Sequence, residues 1–145
     1  MDRDYVTRNE AARERLQALV GRLTPEDLDR SIGDGWTVKA ALAHLAFWDR
    51  YAVALIDQWS IGGFKEDEGF SSDIPNLAGL ADWLAAPPAY TTREVVEAAR
   101  SVDRRVEEIP PPLADAIVDG GMPRVLDRGV HRSEHLDQVE RFLSS

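Results

Sequence analysis

Along four long stretches of this chain, apolar positions recur every three or four residues, the spacing of helices with one buried face. In the first, from about Asp4 to Leu23, the residues Tyr5, Ala12, Leu16, Leu19 and Leu23 fall on one side. The second runs from about Val38 to Trp59 on the stripe Val38, Ala41, Leu45, Trp48, Ala52, Leu55 and Trp59. Thr37 stands where a capping hydroxyl belongs. The third follows Thr91 or Thr92 and alternates by four and three through Val95, Ala99, Val102, Val106 and Ile109. Pro110-Pro111-Pro112 then ends it, because proline supplies no helix donor. The fourth spans Arg124 to Leu143 and carries Val139 and Phe142 on its buried face. Gly129, near its start, either permits close approach of another helix or marks a later true start.

The connections carry their own signals. Thr24-Pro25-Glu26-Asp27 has the form of an N-cap and first turn of a short helix, after which Gly33 and Gly35 break the chain. The link from Ile61 to Tyr90 begins polar, from Gly62 to Phe70, and then places Leu77, Leu80, Trp83 and Leu84 in a short helical pattern before Pro87-Pro88. A connection this long is either a packed crossover or a loop over a functional site. No strand-like alternation and no internal repeat interrupts the pattern. The expectation is an all-α chain, one domain over residues 1–145, with a long crossover between helices two and three.

Composition narrows the partners. At 145 residues and 43% hydrophobic, the chain is large enough to bury a core of its own. Its net charge is -9 and its basic residues are scattered, so it lacks the concentrated basic face that nucleic acid requires. With no cysteine, it has no disulfide, no thiolate metal ligand and no cysteine nucleophile. The N-terminus shows no signal-peptide pattern, and no run of about 18 apolar residues could span a bilayer. A cytoplasmic protein without membrane partners is expected.

The three histidines carry the candidate chemistry. His131 and His135 stand four apart, so at about 100° per residue both imidazoles share one helix face. His44 lies beside the second helix's apolar stripe, three residues from Ala41 and four from Trp48, and should face inward. Three imidazoles from two helices make a metal site with open coordination positions. The alternative is three unrelated, partly buried histidines, each satisfied by a carbonyl. His131-Arg132-Ser133-Glu134-His135 also has the spacing of the inverted zinc-peptidase motif. That motif expects an acidic ligand well downstream, and the chain ends ten residues after His135. A peptidase is therefore not expected.

Gly35-Trp36-Thr37-Val38, then Ala43-His44-Leu45-Ala46-Phe47-Trp48-Asp49, then His131-Arg132-Ser133-Glu134-His135-Leu136 resemble, in that order, the DinB/YfiT-like family of metalloenzymes. The resemblance implies a four-helix bundle with up-down-down-up connectivity, and a divalent metal on His44, His131 and His135. Some members of that family resemble thiol S-transferases using bacillithiol or mycothiol, one branch is a mycothiol-dependent maleylpyruvate isomerase, and others resemble metal-dependent hydrolases. The isomerase pattern includes a second, C-terminal domain that this sequence does not show, which argues against isomerisation.

A three-histidine metal can lower the pKa of bound water to about 7, or hold an incoming thiol as thiolate. The thiol would have to arrive as a cosubstrate. Zinc is the default ion, with nickel or iron as alternatives. Three neighbours could assist. Tyr51 follows His44 by seven on the same helix face, Arg128 precedes His131 by three and could hold an anionic group, and Glu134 could act as base or orient an imidazole. Their bland readings are a core tyrosine, a solvated arginine and a surface ion-pair partner. The expected function is metal-dependent transfer of a low-molecular-weight thiol to a small electrophile. A metal-dependent hydrolase and a non-catalytic metal-binding or dimerisation module are the alternatives. A homodimer is expected, from the resemblance and from the aromatic surplus of Trp59, Phe64 and Phe70 around a polar link.

Overall fold

The computed structural model describes residues 3–66 and 71–145. In chain order its elements are α1 (Asp4–Arg22), α2 (Pro25–Leu28), β1 (Ser31–Gly33), β2 (Trp36–Thr37), α3 (Val38–Gly62) and α4 (Asp73–Ala85), then α5 (Pro88–Glu108), α6 (Pro111–Asp119), a 3-10 turn (Pro123–Val125) and α7 (Arg128–Leu143). The chain is mostly helical, as its periodicity requires. Helix starts follow their caps. Thr24 and Asp27 bond reciprocally at the head of α2, and Thr37 Oγ1 accepts from the Ala40 amide at 3.1 Å at the head of α3.

Prolines account for two departures from the expected pattern. The third long helix starts at Pro88, ahead of Thr91, and the proline triplet both closes α5 and opens α6, a helix the pattern did not predict. First-turn amides have no partner within a helix, so proline loses nothing there. The last helix starts at Arg128, later than Arg124, with the 3-10 turn before it. Gly129 also faces α1 closely: a Cβ there would lie 2.8 Å from the Arg8 carbonyl oxygen. The break at the glycines is a small antiparallel hairpin of β1 and β2, turned by Gly33, Asp34 and Gly35 at φ of 95°, 55° and 83°. Strands this short hold too few residues for alternation to register.

Helix α1 packs against α5 and α7, and α3 packs against α5 and α7 in turn. Ion pairs give the directions. Arg8 with Asp127 and Arg15 with Asp137 run in step, so α1 and α7 are parallel. Arg50 with Glu94 and Asp57 with Arg105 make α3 and α5 parallel to each other. His44 faces His135 while Asp49 meets Arg128, so α3 and α7 are antiparallel. Two apolar clusters fill the interior, one including Leu16, Leu42, Leu45 and Leu136, the other Ile56, Trp59, Val106 and Ile117.

The long link forms α4, whose Trp83 is buried against Trp36 and Phe47. Trp59 is buried, and Phe64 meets it edge-on at 4.9 Å, so these two aromatics pack with the core; Phe70 lies outside the described residues. Exposed apolar side chains gather on α4 instead, with Ile74 70% and Leu77 71% exposed. Among the described residues, no helix is long and apolar enough to cross a membrane.

Candidate metal centre

All three histidines meet. His44 comes from α3, and His131 and His135 come from successive turns of α7. One ligand nitrogen from each lies within 4.8 Å of the others, and His44 Nε2 is 3.1 Å from His131 Nε2. Two nitrogens held about 2.0–2.1 Å from a tetrahedral ion would stand roughly 3.3 Å apart. The observed spacing is close to that.

The surroundings keep the imidazoles neutral. Trp36 and Trp83 place rings edge-on to His44 at 5.4 and 5.5 Å, and Trp48 closes a third side at 6.4 Å. Burial among these rings pushes His44 down to about 4, helped by His135 and Arg128 and opposed by Asn76. His131 is pushed down to about 2, first by burial and then by the Arg128 charge. Burial also lowers His135, against the opposing effects of Gln138 and Glu134. Neutral nitrogen is the form that binds metal.

Orientation differs between the rings. His135 Nδ1 sits 3.2 Å from Gln138 Oε1, so the ring donates there and keeps its Nε2 lone pair for the site. Arg128 Nη2 lies 3.4 Å from His131 Nδ1. A guanidinium only donates, so the ring proton of His131 sits on Nε2, pointing at His44 Nε2. An ion on that nitrogen would move the proton to Nδ1 and displace this long contact. His44 Nδ1 is buried with no hydrogen-bond partner. The donor set fits a divalent ion: three neutral imidazoles, two nitrogens near ligand spacing, and one ring oriented by a neighbouring amide.

The histidines open into a cavity of about 600 Å³ whose wall includes the hairpin residue Asp34, Ser72 and Asn76 beside α4, Arg124, Glu134 and Gln138. Asn76 is fixed by the Trp48 indole, which donates to its Oδ1 at 2.8 Å. The link between helices two and three is thus both a packed crossover and a wall of the site.

Of the three assisting residues expected, two line this cavity. Glu134 does so with an exposed carboxylate, paired with Arg124 at 3.1 Å. Arg128 lines it from below, buried and bonded through Nε to Asp49 Oδ1 at 2.9 Å. Tyr51 does not line it; its half-buried ring packs at a tilt against Trp48, 5.0 Å between centroids.

Beneath the histidines lies a group that periodicity could not show. Arg132 is fully buried and takes Asp103 in a two-pronged grip, Nη2 to Oδ1 at 2.7 Å and Nη1 to Oδ2 at 3.0 Å. It also meets Asp49 Oδ2 at 3.3 Å and the Asn9 carbonyl at 3.1 Å. Arg13 adds a second cation to Asp103 at 2.7 Å. Burial opposes the charge of Arg132, but Asp49 and Asp103 outweigh it and raise its pKa. The chain Arg13–Asp103–Arg132–Asp49–Arg128 therefore runs from α1 through α5, α7 and α3 to His131. Its sequence signal was an aspartate interrupting each buried stripe, Asp49 after Trp48 and Asp103 between Val102 and Val106.

This mostly helical domain, which gathers three histidines from two helices at one cavity, is a domain of the DinB-like superfamily. Within it, the chain belongs to the family described as the mycothiol maleylpyruvate isomerase N-terminal domain, which matches residues 10–136 and so takes in all three histidines. No curated protein and no solved structure matches the chain.

Proposed function

We propose that this domain is a metal-dependent enzyme that transfers a low-molecular-weight thiol to a small electrophile, with one divalent ion on His44, His131 and His135. The carrying observation is three neutral imidazoles converging on a cavity, in a group that contains no fourth protein ligand among the described residues. A structural zinc is normally closed by four. When bound, the ion supplies Lewis acidity and holds a thiol in its nucleophilic thiolate form. Zinc is the ion of choice, with nickel or iron as alternatives.

The chain's own groups do the rest. Gln138 holds His135 in the ligating orientation, and three tryptophans pack around His44. Glu134, on the cavity wall, is available to take the proton that the thiol sheds. With no cysteine in the chain, the thiol arrives as a cosubstrate, and the name of the matching family supports a thiol of the mycothiol kind. Glu134 beside His135 also favours the second reading, hydrolysis of small molecules.

The same proposal reads the four long helices as an up-down-down-up bundle of the DinB/YfiT-like kind, supported by the ion-pair directions above. It places the protein in the cytoplasm as a homodimer that takes small molecules and not nucleic acid. The net charge of -9 and the exposed Ile74 and Leu77 support those last points. Sedimentation giving only monomer at every practical concentration would remove the dimer.

Turnover of electrophiles, esters and amides by metal-loaded protein, with and without mycothiol, bacillithiol or glutathione, tests the reaction. Thiol-dependent consumption of an electrophile is expected. Metal-dependent turnover that ignores thiol would transfer the assignment to hydrolysis. No turnover under any condition would favour a non-catalytic module.

A further inference from the structure

We propose that Arg124 is the residue that receives the ligand's anionic group, that it does so by exchanging Glu134 for that group, and that the ligand is therefore a small molecule bearing a carboxylate. The inference rests on the open metal centre proposed above and names what sits beside it.

Arg124 and Arg128 are the two cations among the described residues of the cavity wall. Arg128 is committed on two nitrogens with or without the ion, Nε to Asp49 and Nη1 to the Arg124 carbonyl at 3.0 Å, and only its long Nη2 contact to His131 Nδ1 gives way when a metal binds. Its side chain is only 9% exposed. Taking it for an anion would strip Asp49 of a buried partner, which is costly. Arg124 is the opposite case. Among the described residues its ion pair is a single Nη2 contact to Glu134 Oε2 at 3.1 Å, and the two side chains are 57% and 56% exposed. Such a pair contributes next to nothing in water, so it exchanges readily.

A ligand carboxylate has two advantages over Glu134. It can take two parallel N–H groups of the guanidinium, a stronger contact than the single one now made. It is also delivered at high effective concentration once the ligand's other end is held at the histidines. Arg124 itself is well placed for the task. It sits in the 3-10 turn, where the Leu126 and Asp127 amides both bond back to the Pro123 carbonyl, and its own carbonyl is held by Arg128. Arg128 thus serves as the buried anchor that aims Arg124. Exchange also leaves Glu134 without a cation, beside His135 and facing the cavity, as the proton acceptor the proposed reaction requires.

Binding to the metal-loaded protein tests this with matched probes anchored on the ion by a hydroxamate, a group that any open metal centre accepts. One probe is succinic acid monohydroxamate and its neutral partner is butyrohydroxamate; titration calorimetry gives both affinities. The wild type should prefer the carboxylate probe by about tenfold. R124Q should abolish the preference, with metal content unchanged, and E134Q should raise affinity for the carboxylate probe a few-fold by removing the competitor. A preference that survives R124Q, or that E134Q weakens, overturns the proposal. Failure of both hydroxamates to bind overturns it together with the open metal centre. A parallel pair, 3-mercaptopropionate and 3-mercaptopropanamide, separates the two readings. If neither thiol binds while the hydroxamates still discriminate through Arg124, the thiol assignment falls and the role of Arg124 stands.

Discussion

Each histidine is asked for one ligand nitrogen, and single substitutions should separate that role from those of the residues around it. His44→Ala and His135→Ala should each abolish stoichiometric metal, about one ion per chain in the wild type, as read by elemental analysis after dialysis. Undiminished metal in both variants would refute the site. Gln138→Leu removes the acceptor that orients His135 and should weaken metal affinity by about tenfold while the ion still binds. Arg132→Leu is a stability test. It strips one cation from Asp49 and Asp103 in a fully buried place, so urea denaturation should show a loss of about 3–5 kcal/mol. The meeting of three histidines was legible in the sequence because imidazole is rare in this chain and helical spacing converts position into direction. The ionic chain was not. An aspartate on a buried stripe declares that it needs a cation, but it does not say which of the chain's many arginines will answer. Tyr51 shows the limit of a face argument: seven residues return to the same side of a helix, yet its ring leans onto Trp48.

Elements were more legible than their ends. Every long helix was present in the periodicity, and the Thr24 and Thr37 caps stood where hydroxyls precede apolar runs. Helix α6 escaped because a proline triplet carries two meanings, the end of one helix and the favoured first turn of the next. The hairpin escaped because its strands are too short to show a period, although it brings both Asp34 and Trp36 to the cavity. The packing of helices onto each other is where small residues matter. Gly129→Ala would press a methyl group into the Arg8 carbonyl and move α7 away from α1, at a cost of about 1–3 kcal/mol. A fall in the thermal midpoint should accompany weaker metal binding, since α7 carries two of the three histidines proposed to hold the ion. An unchanged midpoint would mean that α1 yields freely.

For the molecule as a whole, the buried imidazoles set the response to acid. An unfolded chain protonates His44 near its ordinary 6.5, whereas the folded chain refuses the proton down to about 4. Metal-free protein should therefore hold its full stability above pH 6.5 and lose it as the pH falls toward 4, His44 alone accounting for about 3 kcal/mol. Urea midpoints between pH 4.5 and 7.5 measure this, and a flat profile would show that the ring is solvated. The ionic chain has a further consequence, for assembly. Its contacts join α1, α3, α5 and α7 at one level of the interior. Apolar faces tolerate sliding, because one leucine replaces another. Charges do not. A slip of any one helix by a turn, about 5.4 Å, would strand a guanidinium or a carboxylate in a dry interior. The chain thus works as a lock that closes in one alignment only, and that alignment is the one in which His44 stands level with His131 and His135.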